Sequence, residues 1–258
     1  MVLKTEDNGR VRTLRIDRPK ALNAMNNEVF AAIRDGLSAA AEDPGVAVVV
    51  ITGSGRGFSA GQDLTEMLAS YGPDAGPYHF PSMLSALAEF PKPLIAAVNG
   101  IGVGIGMTIL GHCDLALMAR GARLRTPFPQ LGVAPEAGSS YTFAARMGWQ
   151  QAAYVLLTGR WFDARECLEM GLVWRVCEDD DLDAETQAVA QEIAANPIPS
   201  LVETKRLMLA ANHTTAVLAA HDREVAAFAR LVGGPANREA VAAFLDKRDP
   251  DFTGIAGL

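Results

Sequence analysis

Basic excess and long apolar runs are both missing from this 258-residue sequence. Lysine plus arginine number 23 against 30 aspartate plus glutamate, giving a net charge of −7 and a pI near 5.2. An acidic chain without a basic cluster cannot neutralise phosphates, which argues against a nucleic-acid partner. The longest apolar runs, such as Val46–Thr52 and Leu94–Val98, fall far short of the roughly 18 residues that span a membrane. We therefore expect no membrane partner either.

Cysteine and histidine are too few and too scattered for a disulfide framework or a metal site. The cysteines are odd in number and far apart (Cys113, Cys167 and Cys177). The four histidines show no zinc-type spacing, so we expect no metal. The first residues lack the apolar segment of a signal peptide, and the last residues are not a peroxisomal S-K-L signal. A cytoplasmic protein with reduced thiols is the expectation.

The first half of the chain alternates strand and helix patterns. Hydrophobic residues make up 49% and charged residues 21%, proportions typical of a folded domain. Val11–Ile16 alternates apolar and polar residues, and Val46–Thr52 and Leu94–Val98 are continuous apolar runs, as in buried parallel strands. Asn26 is a suitable N-cap for a helix running to about Ala41. Repeated strand–helix alternation predicts an α/β fold with right-handed crossovers.

The second half is predicted to be mostly helical. The segment Asn196-Pro197-Ile198-Pro199 is the clearest boundary. It divides the chain into a core, 1–195, and a C-terminal helical subdomain, 196–258. Further helices are predicted at Gln62–Ser70, Ser82–Phe90, Ala137–Met147, Gln150–Leu157, Asp163–Met170, Ala184–Ala195, Pro199–Ala211, Thr215–Leu231 and Pro235–Lys247, with a loop at Tyr71–Pro81 and short strands at Leu115–Met118 and Leu172–Val176.

Two glycine loops each follow a buried strand and lead into a helix. Loop one is Gly53–Leu64 and loop two is Asn99–Gly106. Two helix N-termini facing one point would form an oxyanion hole from their unpaired N–H groups. For either loop alone, a tight turn is the alternative. A dinucleotide site is disfavoured: Gly55–Ala60 fits G-x-G-x-x-A, but no strand ending in an acidic residue follows about 20 residues later.

Together with their flanking segments, the loops resemble the crotonase superfamily, also called the enoyl-CoA hydratase/isomerase family. The resemblance covers nearly the whole chain in order, and the motifs are specific as a set although each is weak alone. The matching segments are Asp17–Met25, Phe58–Leu64, Pro91–Gly100, Cys113-Asp114, Leu131–Pro135, Gly171–Val173 and Lys247–Phe252.

This resemblance implies a fold, an assembly and a ligand. The fold is a spiral of ββα units followed by a helical C-terminal part, which makes 196–258 a trimerisation or lid element. The assembly is a homotrimer, or a hexamer of two trimers. The ligand is an acyl-CoA thioester, so coenzyme A is part of the substrate and no separate cofactor is expected.

The resemblance also assigns site residues. The backbone N–H groups of Ala60 and Ile105 fall where the family's oxyanion hole binds the thioester oxygen. Asp63 has an alternative role as a helix cap. The positions that correspond to the coenzyme A loop and the adenine surroundings are Lys20, Ala21, Leu22, Gly61, Gln62, Asp63 and Leu64.

Acid–base residues distinguish the reactions within the superfamily. A typical hydratase has two glutamates, and their positions are occupied here by Thr108 and Phe128. Neither side chain can act as a carboxylate base, which argues against hydration by the usual mechanism. A hydratase activity that does not depend on Glu136 would indicate another carboxylate, and the nearest candidates in sequence are Asp63 and Glu66.

Glu136 is the predicted catalytic base. The segment Thr126–Gly132, with Pro135-Glu136 and Ser139–Phe143, is similar to 3,2-enoyl-CoA isomerases of the peroxisomal type, in which a glutamate at this position is the base. The alternative is that Glu136 merely begins a helix. The predicted function is conversion of 3-enoyl-CoA to 2-enoyl-CoA through a dienolate in fatty-acid oxidation. Enoyl-CoA hydration, another crotonase reaction and a non-catalytic acyl-CoA-binding protein remain alternatives.

The neighbours of Glu136 in sequence predict an apolar surrounding. Such a surrounding would raise the pKa of the carboxyl group and strengthen it as a base. These neighbours are Phe128, Leu131, Val133 and Ala134.

Four apolar residues in or just before the predicted helix Ser82–Phe90 are predicted to belong to the core in preference to lining a pocket. They are Phe80, Met83, Leu84 and Leu87.

Overall fold

A computed structural model describes residues 1–63, 78–209 and 211–255. Leu64 and Glu66, with most of the predicted helix Gln62–Ser70 and the predicted loop Tyr71–Pro81, lie outside the described residues. Within them, Gln62 forms an isolated parallel bridge with Met25. The predicted helix therefore does not begin at Gln62.

The described residues form ten strands, which are arranged in two sheets. The larger sheet has the order β1-β2-β3-β5-β7-β10, and only its β1–β2 pair is antiparallel. The smaller sheet has the order β4-β6-β8-β9, with β4, β6 and β8 parallel. The strands are β1 (Leu3–Asn8), β2 (Val11–Ile16), β3 (Val48–Gly53), β4 (Gly57–Ser59), β5 (Leu94–Val98), β6 (Ile101–Val103), β7 (Leu115–Ala119), β8 (Arg123–Arg125), β9 (Phe162–Asp163) and β10 (Arg175–Cys177).

Ten α-helices surround these sheets among the described residues. Strands β3 and β5 are buried at every position, as the predicted parallel arrangement requires. The helices are α1 (Asn27–Glu42), α2 (Phe80–Glu89), α3 (Ile105–Thr108), α4 (Ser139–Met147), α5 (Trp149–Thr158), α6 (Ala164–Glu169), α7 (Leu182–Ala194), α8 (Ile198–Met208), α9 (His213–Leu231) and α10 (Pro235–Leu245).

Helix α1 forms as its sequence predicts. The Asn26 side chain accepts a hydrogen bond from the Val29 N–H at 3.1 Å, an N-cap that contributes about 1 kcal/mol to helix stability. The apolar residues at helical spacing, Val29, Ile33, Leu37 and Ala40, are all buried.

Two details differ from the sequence interpretation. Strand β1 was not predicted, because its burial pattern has a single buried residue and gives no apolar signal. The predicted strand Leu172–Val176 forms instead at Arg175–Cys177. Leu172 and Val173 donate their N–H groups to the Cys167 carbonyl oxygen, so they belong to the turn that ends α6.

The C-terminal helices pack onto the sheet core. Helix α9 contacts α2 and α4, and α10 contacts the short 3-10 helix Pro129–Leu131. A division at residue 195 stays a prediction. Within the described parts of the chain, no helix combines the length and apolar character needed to cross a membrane.

Candidate active site

The two glycine loops lie side by side because the strands before them pair. Strands β4 and β6 are parallel, with Gly57 opposite Ile101 and Ser59 opposite Gly102. The chain leaving β4 therefore runs beside the chain leaving β6 toward α3. At the contact, Gly61 has φ +96°, and a Cβ there would lie 2.8 Å from the Val103 carbonyl oxygen. Only glycine fits this close approach.

The predicted role of Ala60 needs correction. Its N–H donates to the Leu22 carbonyl oxygen at 2.9 Å. This hydrogen bond joins two backbone segments, so the Ala60 N–H is directed at Leu22 and is not available to stabilise an oxyanion. The structure instead gives Ala60 a part in joining loop one to the chain before α1.

The next donor on loop one is the Gln62 N–H. Met25 donates to the Gly61 carbonyl and accepts from the Asp63 N–H, which makes Gln62 the central residue of a parallel bridge. In this pattern Gln62 turns its own N–H away from Met25. Among the described residues this N–H has no hydrogen-bond acceptor. Since Gly61 abuts Val103, the free donor lies next to the segment that leads to Ile105.

The predicted coenzyme A loop is brought to loop one. Pro19–Ala21 forms a 3-10 helix, with Lys20 and Ala21 exposed, and Leu22 is partly buried in a left-handed conformation. Asp63, whose predicted roles were adenine contact or helix cap, pairs with Arg18 through an Nη2–Oδ2 distance of 3.1 Å. Gln62 Nε2 donates to the Tyr78 hydroxyl at 2.8 Å.

Asn23 holds this loop in place, a role that the sequence did not reveal. The residue is fully buried and has φ +59°, a conformation that asparagine tolerates better than most residues. Its Oδ1 accepts from the Arg18 N–H at 2.9 Å, and its Nδ2 donates to the Ser54 and Gly57 carbonyl oxygens at 2.8 and 2.6 Å. The Asn23 side chain thus connects the predicted coenzyme A loop to Ser54 and Gly57 of loop one.

Asn23→Ala is expected to lower the free energy of unfolding by about 3 kcal/mol. The substitution leaves one buried N–H and two carbonyl oxygens without their partner. Thermal unfolding measures the effect, and Lys20→Ala is the matched control because Lys20 is exposed on the same loop. A melting temperature for Asn23→Ala equal to that of Lys20→Ala would contradict this role.

Glu136 lies against loop two. A Cβ on Gly104 would be 3.2 Å from Glu136 Oε1. The Ile105 N–H interacts with the same carboxylate. The structure therefore places the predicted base and the predicted donor of loop two in one site.

The turn that carries Glu136 is strained and held from two sides. Ala137 and Gly138 follow with φ +61° and +67°. A left-handed alanine costs about 1–2 kcal/mol, so surrounding contacts must hold it. His112 Nε2 donates to the Ala137 carbonyl at 2.8 Å, because that oxygen can only accept. On the other side, Glu224 Oε2 accepts from the Gly138 N–H at 2.7 Å.

The surroundings of Glu136 make it a stronger base than an ordinary glutamate. Burial of the carboxyl group raises the pKa of Glu136 to about 7. The charge of Glu224 acts in the same direction, and the interaction with the Ile105 N–H opposes both. The predicted upward shift is thus confirmed, and Glu224 adds a second cause to the predicted apolar surrounding.

The two positions of the hydratase glutamates contain no carboxylate and are buried. Thr108 ends α3, and its hydroxyl has no hydrogen-bond partner among the described residues. Phe128 packs directly before the 3-10 helix Pro129–Leu131. Of the other neighbours, Ala134 is buried and Leu131 and Val133 are partly buried. Phe80, Met83, Leu84 and Leu87 are buried in the main core, as predicted.

The comparisons decide the family. The family model described as enoyl-CoA hydratase/isomerase matches residues 6–255. The chain belongs to this family. A crystal structure of an enoyl-CoA hydratase/isomerase from Pseudoalteromonas atlantica T6c superimposes with a TM-score of 0.91 at 38% identity, covering 98% of this chain and 100% of that one. The predicted crotonase fold, with its helical C-terminal part, is confirmed.

The relatives of this crotonase-family chain carry both isomerase and hydratase names. The 1,2-epoxyphenylacetyl-CoA isomerase of Escherichia coli K12 is 34% identical over 252 residues, which are 95% of each chain. The 2,3-dehydroadipyl-CoA hydratase of the same organism is 34% identical over 249 residues, 95% of this chain and 96% of that protein. Family membership therefore establishes an acyl-CoA enzyme of the hydratase/isomerase type, and the site must indicate which reaction.

Proposed function

We propose that this protein is a 3,2-enoyl-CoA isomerase of unsaturated fatty-acid oxidation that uses Glu136 as its single acid–base residue. The observation that carries the proposal is the position of the Glu136 carboxylate against Gly104 and the Ile105 N–H. A base in contact with an oxyanion donor can remove a proton from the carbon next to the carbonyl that this donor polarises.

The reaction needs one proton and one carboxylate. Glu136 accepts the C2 proton of 3-enoyl-CoA, and the electrons of that C–H bond delocalise over a dienolate ending at the thioester oxygen. The N–H groups of Gln62 and Ile105 stabilise the oxygen as its charge develops, and the Ile105 N–H exchanges the Glu136 side chain for the thioester oxygen when substrate binds. Protonated Glu136 then returns the proton to C4, which leaves the double bond between C2 and C3. The carboxylate is regenerated and no water is consumed.

Coenzyme A is proposed to lie along the loop that carries Lys20, Ala21 and Leu22, next to Gly61–Asp63. The exposure of Lys20 and the hydrogen bond from Ala60 to Leu22 support this position, because both bring the loop beside the oxyanion donors. The homotrimer or hexamer and the cytoplasmic location stay predictions.

Enoyl-CoA hydration is the second candidate, since relatives carry hydratase names. Hydration by the usual mechanism needs two carboxylates, and Thr108 and Phe128 supply none. The second carboxylate near Glu136 is Glu224, but its two oxygens already accept from Gly138 N–H, Ser140 N–H and Ser140 Oγ. Both oxygens of Glu224 are therefore engaged in hydrogen bonds that hold the turn, and neither is placed to activate water.

A pH profile tests the proposed base. Because burial raises the pKa of Glu136 to about 7, the protonated and inactive form predominates below that pH. We expect kcat/KM for a 3-enoyl-CoA, which reports the free enzyme, to fall about tenfold for each pH unit below roughly 6 and to level off above 8. A rate that stays constant down to pH 5 would mean that a carboxyl group of ordinary pKa, or none, acts as the base.

A further inference from the structure

Helix α9 carries a carboxylate where its buried face meets the turn that holds the base. Val217, Ala220, His221 and Glu224 are the buried residues of this helix. A glutamate is rarely buried unless its oxygens are satisfied. Here they are: Glu224 Oε2 accepts from the Gly138 N–H at 2.7 Å, and Oε1 accepts from the Ser140 N–H at 2.9 Å and the Ser140 hydroxyl at 2.6 Å.

These hydrogen bonds connect two distant parts of the chain. Glu224 is 86 residues from Gly138, and the bonded N–H groups begin α4 directly after the left-handed pair Ala137 and Gly138. A helix N-terminus presents such unpaired donors and a partial positive charge, both of which a carboxylate satisfies. The turn also packs closely on α9, since a Cβ on Gly138 would lie 3.0 Å from Val217 Cγ1. Helix α9 therefore holds the turn that directly follows Glu136.

We infer that Glu224 is a positioning residue for the reaction, which holds the turn after Glu136 against loop two through its hydrogen bonds to Gly138 and Ser140. The inference rests on the proposed function, in which Glu136 is the base. Beside these hydrogen bonds, the charge of Glu224 acts together with burial to raise the pKa of Glu136.

The other titratable groups around the turn do not supply this charge. Burial lowers the pKa of His112 to about 4 and lowers that of His221, so both are neutral at neutral pH. The charged or titratable groups that interact with His112 are His213, Arg146 and Lys205, and those that interact with His221 are Glu224 and the exposed Asp222.

The test is the pH profile of Glu224→Gln with a 3-enoyl-CoA. Glutamine keeps the size of the side chain but removes the charge and directs an N–H₂ toward one of the bonded N–H groups. We expect kcat to fall about tenfold with little change in KM, and the acidic limb to move to lower pH by about half a unit or more. Asp222→Asn is the matched control: it removes one exposed charge from the same helix and should leave kcat and the limb unchanged.

A purely structural role gives a different result. Glu224→Gln would then lower the melting temperature while kcat and the acidic limb remain as in the wild type, and this outcome overturns the inference. Infrared difference spectra between each protein and its Glu136→Gln counterpart report the Glu136 ionisation without turnover, and they should show the same shift to lower pH.

Two further variants keep the outcomes separate. If Glu224→Gln does not fold, Ser140→Ala removes one of the three hydrogen bonds and retains the charge. It should lower kcat about threefold without moving the acidic limb, and an unchanged kcat would refute the positioning role.

If Glu136→Gln retains full turnover, the proposed function fails. If Glu136→Gln is inactive while Glu224→Gln matches the wild type, only the role of Glu224 fails.

Discussion

Glu136→Gln is expected to lower kcat for 3-enoyl-CoA isomerisation about 1000-fold while leaving acyl-CoA affinity within about threefold of the wild type. Glutamine has nearly the same shape as glutamate but cannot accept the C2 proton. The N–H groups of Gln62 and Ile105, which we propose bind the thioester, remain in place. Turnover by absorbance and binding by calorimetry measure the two quantities. A non-catalytic acyl-CoA-binding protein would show no turnover in either form.

Stability provides the control for this variant. Because the folded-state pKa of Glu136 is raised from 4.5 to about 7, the folded state favours the protonated form. The stability of this site is therefore full below about pH 4.5 and is lost as the pH rises through 7. A neutral glutamine removes that loss, so Glu136→Gln should melt at higher temperature than the wild type at pH 8, by about 2–4 °C for each kcal/mol. Glu89→Gln, at an exposed position, should not change the melting temperature. A lower melting temperature for Glu136→Gln would mean that its loss of activity reports misfolding.

Gly106→Ala is expected to lower the free energy of unfolding by about 3 kcal/mol and to abolish turnover. Gly106 lies in α3, directly after the Ile105 donor. A Cβ at this residue would overlap the Ser59 carbonyl oxygen and lie 3.1 Å from the Ser59 side chain. Both belong to the buried strand β4, which cannot move aside cheaply. To relieve the overlap, α3 must shift away from β4, which separates Ile105 from Gln62.

The matched substitution is Gly254→Ala. A Cβ at Gly254 has no neighbour within 4 Å and the residue does not have a positive φ, so this variant should be as stable and active as the wild type. Thermal unfolding and the isomerase assay check both proteins. Wild-type stability for Gly106→Ala would show that loop two is not packed against β4 as described.

Elements with a clear periodic pattern could be predicted from the sequence. The Asn26 cap and four apolar residues at helical spacing predict helix α1. The continuous apolar run Leu94–Val98 has the same bounds as strand β5. Strand β1 could not be predicted, because its pairing with β2 comes from register along the sheet edge and not from a buried face. The bounds of β10 could not be predicted either, because they are set by its parallel pairing with β7, which is far away in the chain.

The site divides in the same way. Ile105 and Glu136 could be predicted because each belongs to a short sequence motif. The N–H that is available on loop one depends instead on which backbone groups Met25 and Leu22 bind, and both lie far from loop one in the chain. That pairing makes Gln62, and not Ala60, the residue whose N–H has no acceptor among the described residues, a difference of two residues that no local pattern contains. Glu224 did leave a signal, since it lies seven residues after Val217 on the apolar face of its helix, where a charged residue interrupts the pattern.

The most direct test compares two reactions of the purified wild-type protein: isomerisation of a medium-chain 3-enoyl-CoA and hydration of crotonyl-CoA. We expect rapid isomerisation, a much slower hydration, and loss of the isomerisation in Glu136→Gln. Rapid hydration with little isomerisation would contradict this expectation, because a second acid–base group would then have to act where Thr108 and Phe128 stand.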